Sequence, residues 1–154
     1  MIKSRIQIGN GNIVDTYDQY GLVYVSADTI YGPPLKPFEV TKYAEEEGEH
    51  TFMKTVSDAF SYKVKFFLQA NSIQGINRKI RDFNQALYSE ADGIKTFHRV
   101  NFYNDYKGVM ISGVPSLIRE ADDFWIDPAG IQHSVAIVDW EIRVDTPSLC
   151  NFNL

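Results

Sequence analysis

The chain of 154 residues holds a single cysteine, Cys150, so no disulfide can close within it. That excludes a small disulfide-stapled secreted domain. Basic charge is also scarce: 15 Lys and Arg against 20 Asp and Glu leave a formal net charge of -5. A nucleic-acid binder needs a basic footprint to displace counterions, so no nucleic-acid sequence recognition is expected. No run approaches the roughly 20 apolar residues of a membrane span. The start, Met1-Ile2-Lys3-Ser4-Arg5, lacks the apolar segment of a signal peptide. The expectation is a protein made in the cytoplasm, without membrane association.

Chemistry-bearing patterns are missing too. His50, His98 and His133 are far apart, and no pair has the i, i+4 spacing that puts two metal ligands on one helix face. Gly9-Asn10-Gly11-Asn12 lacks the lysine and following helix of a phosphate loop and reads as a hairpin turn, with Asn-Gly suited to type I′. No Gly-x-Ser-x-Gly elbow supports a Ser-His-Asp triad. The acidic run Glu45-Glu46-Glu47 fails the spacing of a calcium loop and reads as a solvated tip. Asp122-Asp123 and the pair Asp139 and Glu141 resemble an acid and base only until Arg143 is counted on the same strand face, where surface pairing explains them. His98 alternates with Val100 and Phe102, as on a sheet face. Cys150 reads as a small, half-buried residue. The sequence predicts no enzyme, no metal and no organic cofactor.

What is present is aromatic and alternating. Aromatics make up 14% of the chain, a share that suits strands better than a helical bundle. Residues 59–104 carry the clearest pattern. Phe60, Tyr62, Val64, Phe66 and Leu68 recur at period two, opposite Ser61, Lys63 and Lys65. Ile73, Ile76, Ile80, Phe83 and Leu87 then recur at spacings of three and four, predicting a helix over about 72–89, capped by Asn71 or Ser72 and left at Gly93. A strand over 97–103 follows. Further strands are expected at 2–8, 21–30, 51–56 and 109–114, with 97–103 and 109–114 forming a hairpin. The longest, 134–144, puts Ala136, Val138, Trp140, Ile142 and Val144 on one face and begins apolar on both. Residues 116–126 read as short strand pieces or an arm, 127–130 as a turn, and the tail from Pro147 as apolar enough to dock. Trp125 and Trp140 read as core anchors. The fold class is mainly β (α+β): an antiparallel β-barrel or sandwich with one principal flanking helix, in a single domain.

The order of segments resembles a known family. It runs from Tyr20-Gly21-Leu22-Val23-Tyr24 through Pro33-Pro34-Leu35-Lys36 and Glu47-Gly48-Glu49. It continues through strand 62–68, helix 73–87 and Phe102-Tyr103-Asn104-Asp105-Tyr106-Lys107-Gly108-Val109. This layout is similar to the N-terminal, ring-forming domain of bacteriophage distal tail proteins, and more broadly to the tail-tube barrel superfamily. The resemblance covers about residues 20–144 and leaves no room for the C-terminal galectin-like domain of longer members. It implies a single tail-tube-like β-barrel domain over 1–154, in a structural component of a phage or prophage tail of distal tail, tail-tube or baseplate type. Such a component self-assembles into a ring, hexameric in that family, with other tail proteins as partners and the virion tail as its location. Two extended arms, 32–49 and 116–130, would reach neighbours, with Phe38, Tyr43, Phe124 and Trp125 as the expected interface anchors. The alternative is a monomeric small-ligand-binding β-barrel lined by Trp125, Trp140 and tyrosines.

Overall fold

The fold is given by a computed structural model that describes residues 2–42, 48–51, 53–126 and 133–154. In chain order the elements are β1 (Ser4–Ile8), β2 (Val14–Asp15), α1 (Thr16–Tyr20), β3 (Val23–Ala27), β4 (Val40–Thr41), β5 (His50–Thr51), β6 (Phe60–Ala70) and α2 (Ile73–Ala86). They continue with β7 (Tyr88–Ala91), β8 (Ile94–Phe97), β9 (Val100–Asn104), β10 (Val109–Pro115), β11 (Ala121–Ile126) and β12 (His133–Val144). A 3-10 turn over Pro147–Leu149 follows.

The main sheet runs β2-β1-β9-β10-β12-β6-β3, with β11 also on β12, and all its pairs are antiparallel. The alternation read from the sequence sets its inner face. Tyr62, Val64, Phe66 and Leu68 of β6 are buried, as are Ala136, Val138, Trp140 and Ile142 of β12. Strands β6 and β12 pair without interruption from Phe60–Val144 to Ala70–Ser134.

The sheet curls over on itself. Phe102 on β9 and Phe66 on β6 stand three places apart in the strand order. In a flat sheet that is about 14 Å, at about 4.8 Å per strand. Their ring centroids lie 6.1 Å apart, and Phe102 meets Trp140 of β12 at 5.9 Å. The two halves therefore face one another across an apolar core, as in a sandwich. The sheet stays open, ending at β2 and β3. That corrects the closed-barrel option.

The corner between the halves is where β10 crosses to β12, at Val114–Arg143 and Pro115–Ile142. Gly113 sits beside it. A Cβ there would collide with the Arg143 carbonyl oxygen and stand 2.8 Å from Ile142 Cγ2. Past the corner, the Ser116 N–H donates to Glu141 O at 2.9 Å, and β11 then continues along the same edge of β12.

Helix α2 starts where its cap predicts: Ser72 Oγ accepts from the Gly75 N–H at 3.1 Å. Ile76, Phe83 and Leu87 are fully buried and Ile80 packs partly against the core. Ile73, expected on the same stripe, is 47% exposed. It opens the first turn, beyond the sheet surface that the rest of the stripe covers. Phe83 stands edge-on to Trp140 at 5.3 Å and to Tyr20 at 5.2 Å. Asn84 grips Ile118 twice: its Nδ2 donates to Ile118 O at 2.8 Å and its Oδ1 accepts from the Ile118 N–H at 2.9 Å.

The helix ends three residues earlier than expected, and residues 88–97 form a hairpin, β7 with β8. Asp92 and Gly93 both have positive φ (54° and 77°), as a type I′ turn requires, so Gly93 is a turn residue and not a helix exit. Phe97 belongs to this hairpin, and the expected 97–103 strand begins instead at Val100. The turn expected at Asn10-Gly11 is not of this kind. Positive φ falls on Gly9 (56°), and β1 meets β2 at Arg5–Asp15 and Ile6–Val14, leaving a longer loop. The first strand begins at Ser4, with Ile2 half exposed. Helix α1, not anticipated, is bounded by Asp15, which caps the Tyr17 N–H, and by Gly21 in the left-handed region at φ 71°. The tail docks as expected: Asn151 and Met110 exchange backbone hydrogen bonds of 2.9 and 2.7 Å. The turn expected over 127–130 lies outside the described residues.

Two substitutions test this packing. Phe83→Ala should destabilise the fold by about 3–5 kcal/mol, because a fully buried ring leaves a cavity between two aromatic neighbours. Gly113→Ala should destabilise by about 1–3 kcal/mol, because the new methyl meets backbone that cannot yield without opening the corner. Urea unfolding measures both, and a neutral Gly113→Ala would show that the corner is looser than its contacts imply.

Candidate functional site

Between Ala27 and Phe60 the chain leaves the sandwich as a hairpin arm. Its legs are joined near the base by the Asp58 N–H donating to Pro34 O at 2.7 Å and the Lys36 N–H donating to Val56 O at 2.9 Å. Thr55 Oγ1 donates to Lys36 O at 2.7 Å. Farther out, Val40 pairs with Thr51 and Thr41 with His50, and Lys42 Nζ stands 4.0 Å from Glu49. Pro33, Pro34 and Pro37 fix φ along the outgoing leg and stiffen it. None of the described residues from 28 to 59 is buried. Yet the arm carries Tyr31 (92% exposed), Met53 (85%), Leu35, Phe38, Val40 and Val56 in the open. Scattered surface apolar residues need no explanation, but a run of them on one projecting element is how interaction sites look.

The arm's mount is polar and hydrogen-bonded. Asn104, at the end of β9, is fully buried. Its Nδ2 donates to Tyr62 Oη at 2.9 Å and Tyr24 Oη at 3.2 Å, and its Oδ1 accepts from the Lys107 N–H at 3.0 Å. One side chain thus satisfies two buried phenols and the β9–β10 turn. Asp28, just past β3, exchanges hydrogen bonds with Lys63: its N–H donates to Lys63 O at 3.0 Å and its Oδ2 accepts from the Lys63 N–H at 2.9 Å.

The four expected anchors fare differently. Phe38 lies on the arm and is 47% exposed. Tyr43 lies outside the described residues. Phe124 and Trp125 lie in β11, opposite Val135 and Ser134 of β12. Of the two readings offered for residues 121–126, strand pieces or an arm, the strand holds: they pair with β12. What sequence patterning misses is the hairpin at 88–97, which exposes Ile94 and is announced only by Asp92-Gly93.

His98, Asp139, Glu141 and Cys150 have partners within the fold. His98 sits between β8 and β9, its Nε2 2.9 Å from Ser89 Oγ. Asp139 faces Lys65 Nζ at 3.8 Å, and Glu141 pairs in register with Lys63. Burial pushes the Cys150 thiol up, away from thiolate chemistry, and its Sγ accepts from the Ser112 N–H at 3.3 Å. Among the described residues no cluster of three His, Cys, Asp or Glu could hold a metal ion. The interior that a ligand-binding barrel would need is filled: Trp140 and Tyr62 are core residues packed with Phe66 and Phe102. A hollow of about 680 Å³ beside Asn10, Gln19 and His98 is an open groove. Among the described residues, no helix is long and apolar enough to cross a membrane.

No protein-family profile matches the sequence, and no curated relative matches it. Solved structures do. The fold is similar to that of SPP1 Dit (gp 19.1). That structure is described as a paradigm of hub adsorption apparatus in Gram-positive infecting phages; the TM-score is 0.55, with 12% identity over 94% of this chain. The chain spans 50% of that protein's length. At this identity the likeness is one of fold, and it agrees in layout with the distal-tail resemblance read from segment order.

The mount yields a pH prediction. Burial pushes the Tyr62 phenol up to about 12, against an ordinary value of 10.0, with the Asn104 hydrogen bond opposing it; burial raises Tyr24 as well. As pH climbs from about 10 to about 12 the unfolded chain releases protons that the folded chain keeps, so stability, undiminished below about 10, falls across that window. Urea unfolding at about pH 9 and about pH 11 should show the decline, and Tyr62→Phe should reduce its slope.

Proposed function

We propose that this chain is a structural component of a phage or prophage tail, of the distal tail, tail-tube or baseplate type, which self-associates into a ring. Its partners are further copies of itself and other tail proteins, its place is the virion tail, and it is made in the bacterial host. No catalytic role is proposed. The observation that carries this reading is the arm: a stiffened hairpin projecting from a fully packed sandwich and holding its apolar side chains in solvent. The likeness of fold to SPP1 Dit supports the setting. Among the described residues β2 and β3 end the sheet with unpaired edges, which supports assembly in the same direction, because such edges are a liability that an assembly covers. A head-to-tail contact, arm onto neighbour, closes into a ring when the rotation between copies allows it.

Sedimentation velocity and native mass spectrometry at roughly 100 µM test the reading. Wild type should form a closed homo-oligomer. Phe38→Glu should weaken association about tenfold or more while leaving the urea midpoint unchanged, since Phe38 is outside the core. A wild type that stays monomeric, with Phe38→Glu indistinguishable from it, would remove self-association from the reading.

A further inference from the structure

Lys107 bridges the two halves of the sandwich at the root of the arm. It stands in the β9–β10 turn, next to Gly108, whose φ of 72° lets the chain reverse there. Its Nζ reaches across to the exit of β3, donating to Ala27 O at 2.9 Å and to Thr29 Oγ1. No carboxylate pairs with this ammonium among the described residues. Its backbone is held in turn, since the Lys107 N–H donates to Asn104 Oδ1 and the Gly108 N–H to Asn104 O at 2.8 Å. A buried anchor on one sheet thus carries a charged tether to the point where an edge strand of the other becomes the arm. Charge-assisted hydrogen bonds are the stronger kind, and Ala27 and Thr29 flank Asp28, which is bound to Lys63 on the other side.

We infer that Lys107 is a positioning residue that fixes the bearing of the hairpin arm. The assembly consequence of this inference rests on the ring reading above; the bearing itself does not. The leverage is large. From Pro34 to Thr41 the outgoing leg spans up to about 23 Å at about 3.3 Å per residue, so a 10° error at the root moves its far end by about 4 Å. That is a whole side-chain width, enough to miss a complementary pocket on a neighbour. The three prolines keep the leg stiff, so an error at the root is transmitted and not absorbed.

The test uses nitroxide labels at Lys54→Cys on the arm and Glu141→Cys on the sandwich, in a Cys150→Ser background, with the distance distribution read by pulsed dipolar spectroscopy. Lys107→Met keeps the aliphatic stem and removes the donor; Thr29→Val removes one acceptor and serves if the first variant folds poorly. Each should widen the distribution about twofold, and hydrogen exchange should accelerate at residues 29–31 while Phe66 and Ile142 keep their protection. Where wild type forms a ring, Lys107→Met should weaken it at least as much as Phe38→Glu does, although no arm side chain has changed. An unchanged distribution in both folded variants overturns the inference, and a widened distribution in a ring of unaltered affinity overturns its assembly consequence. A monomeric wild type would count against the ring reading alone, since the distance measurement works equally on a monomer.

Discussion

The pairing of β6 with β12 is the constraint on which the rest depends. Eleven consecutive residue pairs, from Phe60–Val144 to Ala70–Ser134, join segments more than sixty residues apart. Because side chains alternate along a strand, this one register decides what both strands bury: Tyr62, Val64, Phe66 and Leu68 with Ala136, Val138, Trp140 and Ile142. A slip of one residue would turn Lys63, Lys65, Asp139 and Glu141 inward. The same register places Lys63 opposite Glu141 and Lys65 opposite Asp139, so the outer face favours it too. Once the pair exists it offers three further surfaces: an edge for β3, an edge shared by β10 and β11, and an inner face on which Phe102 and Phe83 close.

Closure is then a matter of one corner. Gly113 lets β10 pass close enough to β12 to be paired, and Pro115 and Ser116 carry the chain on to β11. Trp140 sits under this corner. Its Nε1 donates to Ser116 O at 2.7 Å, while its ring meets Phe66, Phe83 and Phe102. A tryptophan in a core needs a partner for its N–H, and here the partner belongs to the connection that turns the sheet. Helix α2 reinforces the same connection through Asn84 and Ile118.

The molecule therefore separates a packed body from an unpacked arm. In the body, polar groups are few and mostly paired, as Asn104 is with Tyr24 and Tyr62. In the arm, backbone bonds between the two legs do the holding; Ile30 at its root packs against the core, while Tyr31 and Met53 stand almost fully exposed. Leu35, Phe38, Val40, Met53 and Val56 lie together on this segment and are exposed. The mount between the two, on Asn104, Asp28 and Lys107, is where the body's rigidity passes to the arm.

Much of this is legible in local pattern alone. Period two marks β6 and β12, and period 3.6 marks α2 with Ile76, Phe83 and Leu87 inward, because each depends only on which faces an isolated element can bury. Trp140 and the docked tail follow from the same patterning. Ile73 departs from its expected burial because periodicity shows a stripe but not where the opposing surface stops. The 88–97 hairpin escapes the pattern because its residues are mostly exposed and carry no alternation, although Asp92-Gly93 is the signal to follow. The arm can be seen as long and proline-broken, but not as exposed. Phe124 and Trp125 cannot be told from arm residues, since joining β11 to β12 is a long-range choice. The sequence by itself determined the elements and their inward faces, which are properties of neighbouring residues. The curling of the sheet, the corner at Gly113 and the mounting of the arm were decided only in three dimensions, because each depends on residues far apart in the chain meeting at distances that no local pattern encodes.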